Sequence, residues 1–171
     1  MTKKTNKDLI AQLQASDTSI VLATIKKISE SGNSAYLTAL LDLLSKTSSE
    51  EVRKRLILLL AELKHTDAIP VIIDAIQDEK YKSILKELVS SCWENGLDFS
   101  NHISVFVDLV INEEFEVAFE ALTVIENLEG KVSPTSKECE LAKIKLAIPT
   151  ADEVNASFLN SLLEIIPQLP Q

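Results

Sequence analysis

The chain has 171 residues, 46% of them hydrophobic and 25% charged, and its 17 Lys and Arg face 26 Asp and Glu for a formal net charge of −9. Three glycines, five prolines and two cysteines (Cys92 and Cys139) exclude collagen-like and disordered classes, a disulfide-stapled scaffold and a four-ligand cysteine zinc site. No apolar run approaches the roughly 18 residues of a membrane span. Met1-Thr2-Lys3-Lys4 is not followed by the apolar core of a secretory leader, so the expectation is a soluble cytoplasmic protein.

Apolar residues recur at spacings of three and four, and start and stop signals divide the chain into about ten helices. Asn6 is placed to cap a first helix carrying Leu9, Ile10 and Leu13. Asp17 opens a second, striped by Val21, Leu22, Ile25 and Ile28, which stops at Ser31-Gly32-Asn33. Ser34 starts a third, with Leu37, Leu40, Leu41 and Leu44. Lys46-Thr47-Ser48-Ser49 ends it and caps the next, whose stripe is Val52, Leu56, Leu59, Leu60 and Leu63. Asp67 is expected to cap a short helix with Pro70 in its first turn, where the missing N–H costs nothing. A helix with Ile84, Leu85, Leu88 and Cys92 follows and ends at Asn95-Gly96. Helices near 100–111, 113–129, 135–147 and 151–166 complete the set, the last opening on Thr150 and Glu153 at capping-box spacing.

The pattern repeats. Leu41-Asp42-Leu43-Leu44, Ile73-Asp74-Ala75-Ile76 and Val107-Asp108-Leu109-Val110 share one motif, with aspartates 32 and 34 residues apart. A module this short, two helices and a turn, cannot bury its own apolar stripe and must lean on its neighbours. The helix at 113–129 agrees. One arc of its wheel holds Phe115, Ala118, Phe119, Leu122 and Ile125, a second holds Val117, Ala121, Val124 and Leu128, and two apolar sides predict neighbours on both.

Thr47-Ser48-Ser49-Glu50-Glu51-Val52-Arg53 and Asp67-Ala68-Ile69-Pro70 through Asp78 resemble HEAT or HEAT-like repeats, most specifically over roughly 34–80. The resemblance implies an all-α, right-handed α-solenoid of about four to five helix pairs in one domain over 1–171. Residues 1–16 would be an N-terminal capping helix, 17–130 the repeats, and 131–171 a degenerate repeat with a C-terminal cap. The family's proline, turn aspartate and Val-Arg are each present once, as Pro70, Asp78 and Val52-Arg53, so stacking is expected to rest mainly on apolar packing. The implied function is a non-catalytic protein-interaction scaffold or adaptor, with second helices lining a concave face. The alternative is a HEAT-like enzyme or nucleic-acid module, such as a DNA glycosylase-like or bilin lyase-like protein.

Charge selects between these. Residues 65–171 carry seven basic and nineteen acidic side chains, and between Lys86 and Lys131 ten acids stand without a single Lys or Arg. A polyanion is repelled by such a surface, whereas a basic protein segment is attracted to it. The expected partner is therefore a protein with a basic segment, not a nucleic acid or a membrane. Asp42, Asp74 and Asp108, opposite their apolar stripes, are the candidate contacts, with Thr38 and Ser104 widening the polar strip; Glu113, Glu116 and Glu120 form a second candidate set on another helix layer. The bland reading is that these acids are merely solvated. Arg53-Lys54-Arg55 with Lys26 and Lys27 is interleaved with Glu50, Glu51 and Glu62 and is expected to pair locally.

Catalytic chemistry finds little footing. His65 and His102 are distant in sequence, Cys92 continues an apolar stripe, and Cys139 lies between two glutamates that would raise its pKa. No glycine-rich phosphate loop occurs, no cofactor or metal site is expected, and a monomer is the default. Trp93 is expected at the edge of its stripe, and most of the apolar stretch Leu162–Gln171 is expected to cover an open end of the stack, the alternative being self-association through an uncovered end.

Overall fold

The computed structural model describes residues 6–171. It contains ten α-helices joined by 3-10 turns and short loops, with no strand among the described residues, so the all-α class holds. They are α1 (Lys7–Gln12), α2 (Thr18–Ser31), α3 (Leu37–Leu44), α4 (Glu50–Ala61), α5 (Ile69–Ile76), α6 (Leu85–Glu94), α7 (Ile103–Asn112), α8 (Phe115–Glu126), α9 (Pro134–Ala147) and α10 (Glu153–Ile165). The helices group into two compact units, one ending at Asn95 and the other spanning Gly96–Gln171.

Local chemistry sets most boundaries. The side chains of Asn6, Asp17 and Ser49 accept bonds from the first free amides of α1, α2 and α4. Gly32 ends α2 at φ +57, a left-handed conformation that a side chain would strain, and the His65 ring also fills the space where a Cβ would sit. Two capping expectations are corrected. Asp67 lies inside a 3-10 turn, Thr66–Ala68, and accepts the Ser34 hydroxyl at 2.7 Å. The cap of α10 is Asp152, whose Oδ1 takes the Asn155 amide, while the Thr150 hydroxyl donates back to the Ala147 carbonyl.

In the first unit α4 lies between α2 and α6, while α3 packs on α4 and α5 on α6. Ile25, Leu56 and Leu88, one from each helix of the central row, are fully buried, and each such side chain contributes about 1.5–3 kcal/mol by leaving water. Polar bonds reinforce each step beside the apolar packing. The Asn6 amide donates to Tyr36 Oη at 2.7 Å, Arg53 pairs with Glu87, Lys64 Nζ donates to the Asn95 carbonyl at 2.7 Å, and Lys80 reaches Asp42. Together with Ser34–Asp67, these links span 30 to 38 residues, about one repeat. Arg53 thus forms a ladder with a glutamate on the next helix of its row, while the turn aspartate Asp78 caps the turn before α6.

In the second unit α7 packs on α8 and α9, and α10 covers α8, α7 and α9. Phe99 and Phe106 meet edge to face at 5.9 Å in its core. The C-terminal segment closes over this unit: Leu162, Ile166 and Leu169 are buried, and the Val132 amide donates to the Pro170 carbonyl at 2.9 Å. Lys137, only 4% exposed, threads its ammonium to the Pro167 and Leu169 carbonyls. α9 therefore lacks an amphipathic stripe in sequence, because Lys137 and Glu140 occupy inward positions.

Candidate functional site

Asp42, Asp74 and Asp108 each occupy the sixth position of their helices α3, α5 and α7. The helices share a register: the residue before each aspartate, Leu41, Ile73 and Val107, is buried, as are Ala75 and Leu109 after the second and third, leaving the carboxylate on the outer side. What each carboxylate meets differs. Asp42 is half-buried, and its Oδ1 accepts both Lys80 Nζ and Tyr81 Oη at 2.5 Å. Burial alone would raise the Asp42 pKa, but the bonds from Lys80 and Tyr81 and the nearby lysine charges outweigh it and hold the carboxyl below its ordinary range. The Asp42 bond raises the Lys80 ammonium, and burial followed by the same carboxylate raises the Tyr81 phenol.

In the second unit Lys143 on α9 gathers two of the expected residues. Its Nζ donates to Asp108 Oδ1 at 2.8 Å and to Ser104 Oγ at 2.9 Å, and it pairs with the buried Glu140 at 2.8 Å. Desolvation would lower the Lys143 pKa; its bonds to Asp108 and Glu140 overcome that and raise it. Asp74 is different: it is exposed and makes no ion pair among the described residues. Thr38 is exposed on α3, one turn before Asp42. Two of the three aspartate positions are therefore filled by an internal ammonium, and one faces solvent.

The second candidate set lies around α8. Glu113 and Glu120 are half-exposed and Glu116 is exposed, in the first turn of the helix. Beside them the apolar arc is only partly covered: Phe115 is 56% exposed and Phe119 48%. α10 meets them through Phe158, which stacks on Phe115 at 5.6 Å and tilts against Phe119 at 6.2 Å. The expectation of neighbours on both sides of α8 is met by α7 and α10, yet three of the chain's five phenylalanines form a surface cluster. Sequence reasoning missed Phe158; the signal available was Phe115 and Phe119 at i, i+4 with a third aromatic on another amphipathic helix.

The remaining side chains behave quietly. Cys92 is buried, its thiol donates to the Leu88 carbonyl at 3.3 Å, and burial pushes its pKa far above the usual thiol range. Trp93 is 39% exposed at the edge of its stripe. In the basic cluster Lys54 pairs locally with Glu50, Arg55 with Glu62 and Lys26 with Glu30, whereas Arg53 departs from the expected local pairing and reaches Glu87 on α6. No group of His, Cys, Asp and Glu among the described residues is arranged to hold a metal ion, and no helix among them is long and apolar enough to cross a membrane.

Short helices that each lean on a helix about one repeat away, with polar links at that same spacing, define a helical-repeat protein. Residues 37–92, from the start of α3 into α6, match the family model for HEAT repeats. HEAT repeats generally mediate protein–protein interaction and serve as non-catalytic scaffolds. No curated protein matches the chain.

Proposed function

We propose that the protein is a non-catalytic cytoplasmic scaffold or adaptor that holds a basic protein segment on the outward faces of α3 and α5 in the first unit. One observation supports this most directly. At the shared sixth position, Asp42 and Asp108 each accept a lysine ammonium at hydrogen-bond distance, whereas Asp74 is exposed and makes no ion pair among the described residues. The position is chemically suited to an ammonium or guanidinium, and in α5 that role falls to a partner. The internal pair at Asp42 orients its carboxylate, so a second cation arriving beside it in the first unit meets an ordered acceptor.

The test is fluorescence anisotropy of a labelled lysine-rich peptide with wild type, D74K and E138K, the last making the same charge change at an exposed acid on α9. D74K should weaken binding about fivefold beyond E138K, with a shallower salt dependence. Equal affinities for the two variants, or no binding by wild type, would overturn the reading. D108K is the poorer probe, because it sets a second ammonium beside Lys143.

A further inference from the structure

We infer that the phenylalanine cluster of the second unit is a docking site for a basic amphipathic segment of a protein partner, one that places arginine beside a large apolar side chain. This rests on the scaffold reading above and moves its principal anchor to a different surface. Phe115, Phe119 and Phe158 form a continuous aromatic face with ring centroids 5.6 to 6.2 Å apart. Exposed aromatic rings gathered in one patch supply the large, rigid contact area on which binding energy concentrates.

The surroundings state what kind of segment fits. A groove of about 470 Å³ opens beside Phe115, lined by Glu114, Asp152, Glu153, Val154 and Asn155. Val154 is itself 48% exposed and extends the apolar floor. Asp152 is occupied in capping α10, but Glu114 sits at the N-cap of α8 with no side-chain capping bond, and Glu153 is exposed. Residues 113–126 and 152–165 together hold eight acids and no Lys or Arg. An acidic rim around an apolar floor repels a lipid phosphate, a nucleic acid, or the same acidic face of a second copy, and it attracts a cation. Arginine suits it better than lysine. Its planar guanidinium stacks on an aromatic face while its N–H groups pair with a carboxylate.

The probe is a short labelled peptide with leucine and arginine at helical spacing, read by anisotropy at low and at physiological salt. Two matched peptides accompany it, one with every arginine replaced by glutamate and one with every leucine replaced by serine. F115A/F119A should weaken the Arg–Leu peptide at least about tenfold, as should E114K/E153K, and the latter should also flatten the salt dependence. Both pairs are exposed enough to leave the helices folded, which a circular dichroism melt checks. The glutamate and serine peptides should bind wild type far more weakly than the parent. Wild-type affinity in F115A/F119A overturns the inference, as does failure of wild type to bind the parent peptide. A dimer of wild type that F115A/F119A abolishes, seen by sedimentation, also overturns it, because the occupant is then a second copy. D74K separates this site from the proposed function: loss in D74K with F115A/F119A unchanged leaves the scaffold reading standing and removes the aromatic site, and the reverse pattern does the opposite.

Discussion

The two units solve one problem with different materials. In the first, short helices leave an apolar stripe that only the next repeat covers, and each step is also fastened by a polar bond about one repeat long, as in Ser34–Asp67, Arg53–Glu87 and Lys64–Asn95. In the second, α10 and the C-terminal segment fold over α7, α8 and α9, the buried Lys137 donates to the Pro167 and Leu169 carbonyls, and an aromatic cluster stays at the surface. Repetition suffices where each helix has a neighbour on both sides. Where the covering element is a single last helix, coverage is incomplete, and the uncovered remainder becomes a surface available to another molecule.

The largest effects should come from the cores. Leu88→Ala in α6 and Phe106→Ala in α7 each empty a fully buried site and should cost about 3–5 kcal/mol in denaturant unfolding. Whether the two lesions melt the same or different probes, a Trp93 signal against amide exchange in α9, sharpens the division into two units. Next, Lys137→Met keeps the volume but strips the Pro167 and Leu169 carbonyls of their charged donor, at about 2 kcal/mol. Faster hydrogen exchange at the Val132 amide, with α4 amides unchanged, is the expected signature, since Val132 donates to Pro170. Unchanged exchange there would mean that the C-terminal segment is held by its apolar contacts alone.

Smaller effects separate the units by pH. The Asp42 carboxyl is held below its ordinary value, so its contribution is full above the unfolded carboxyl pKa of about 3.9 and is lost as pH falls through the folded value. The Lys143 ammonium is raised, so its contribution is full below about 10.4 and is lost as pH rises through the folded value. Asp42→Asn should therefore flatten the acid side of the stability profile, and Lys143→Met the alkaline side. Each costs about 1 kcal/mol near neutrality, because both pairs are partly solvated. An acid limb unchanged in Asp42→Asn would show that the Lys80 and Tyr81 bonds add nothing to stability.

The helices, their order and the repeat were legible because periodic apolar residues and capping side chains are local signals. Asn6, Asp17, Ser49 and the Gly96 stop needed only their neighbours in sequence to be read. Asp67 and Thr150 misled because a carboxylate or hydroxyl at capping spacing was drawn to another acceptor or donor, Ser34 in one case and the Ala147 carbonyl in the other. The aspartate register was visible, but its partners were not: Lys80 and Lys143 lie 38 and 35 residues away, and nothing in local periodicity says which lysine a carboxylate meets. The aromatic cluster escaped for the same reason. Phe115 and Phe119 read as core on a wheel, and only the path of α10 leaves them half in water.

The most direct measurement is isothermal titration of the wild-type protein with the arginine–leucine peptide and with its glutamate counterpart at two salt concentrations. A charge-reading scaffold with an aromatic anchor predicts saturable one-to-one binding of the basic peptide, weakened by salt, and no heat from the acidic one. Equal binding of the two peptides, or a basic-peptide affinity indifferent to salt, would contradict it.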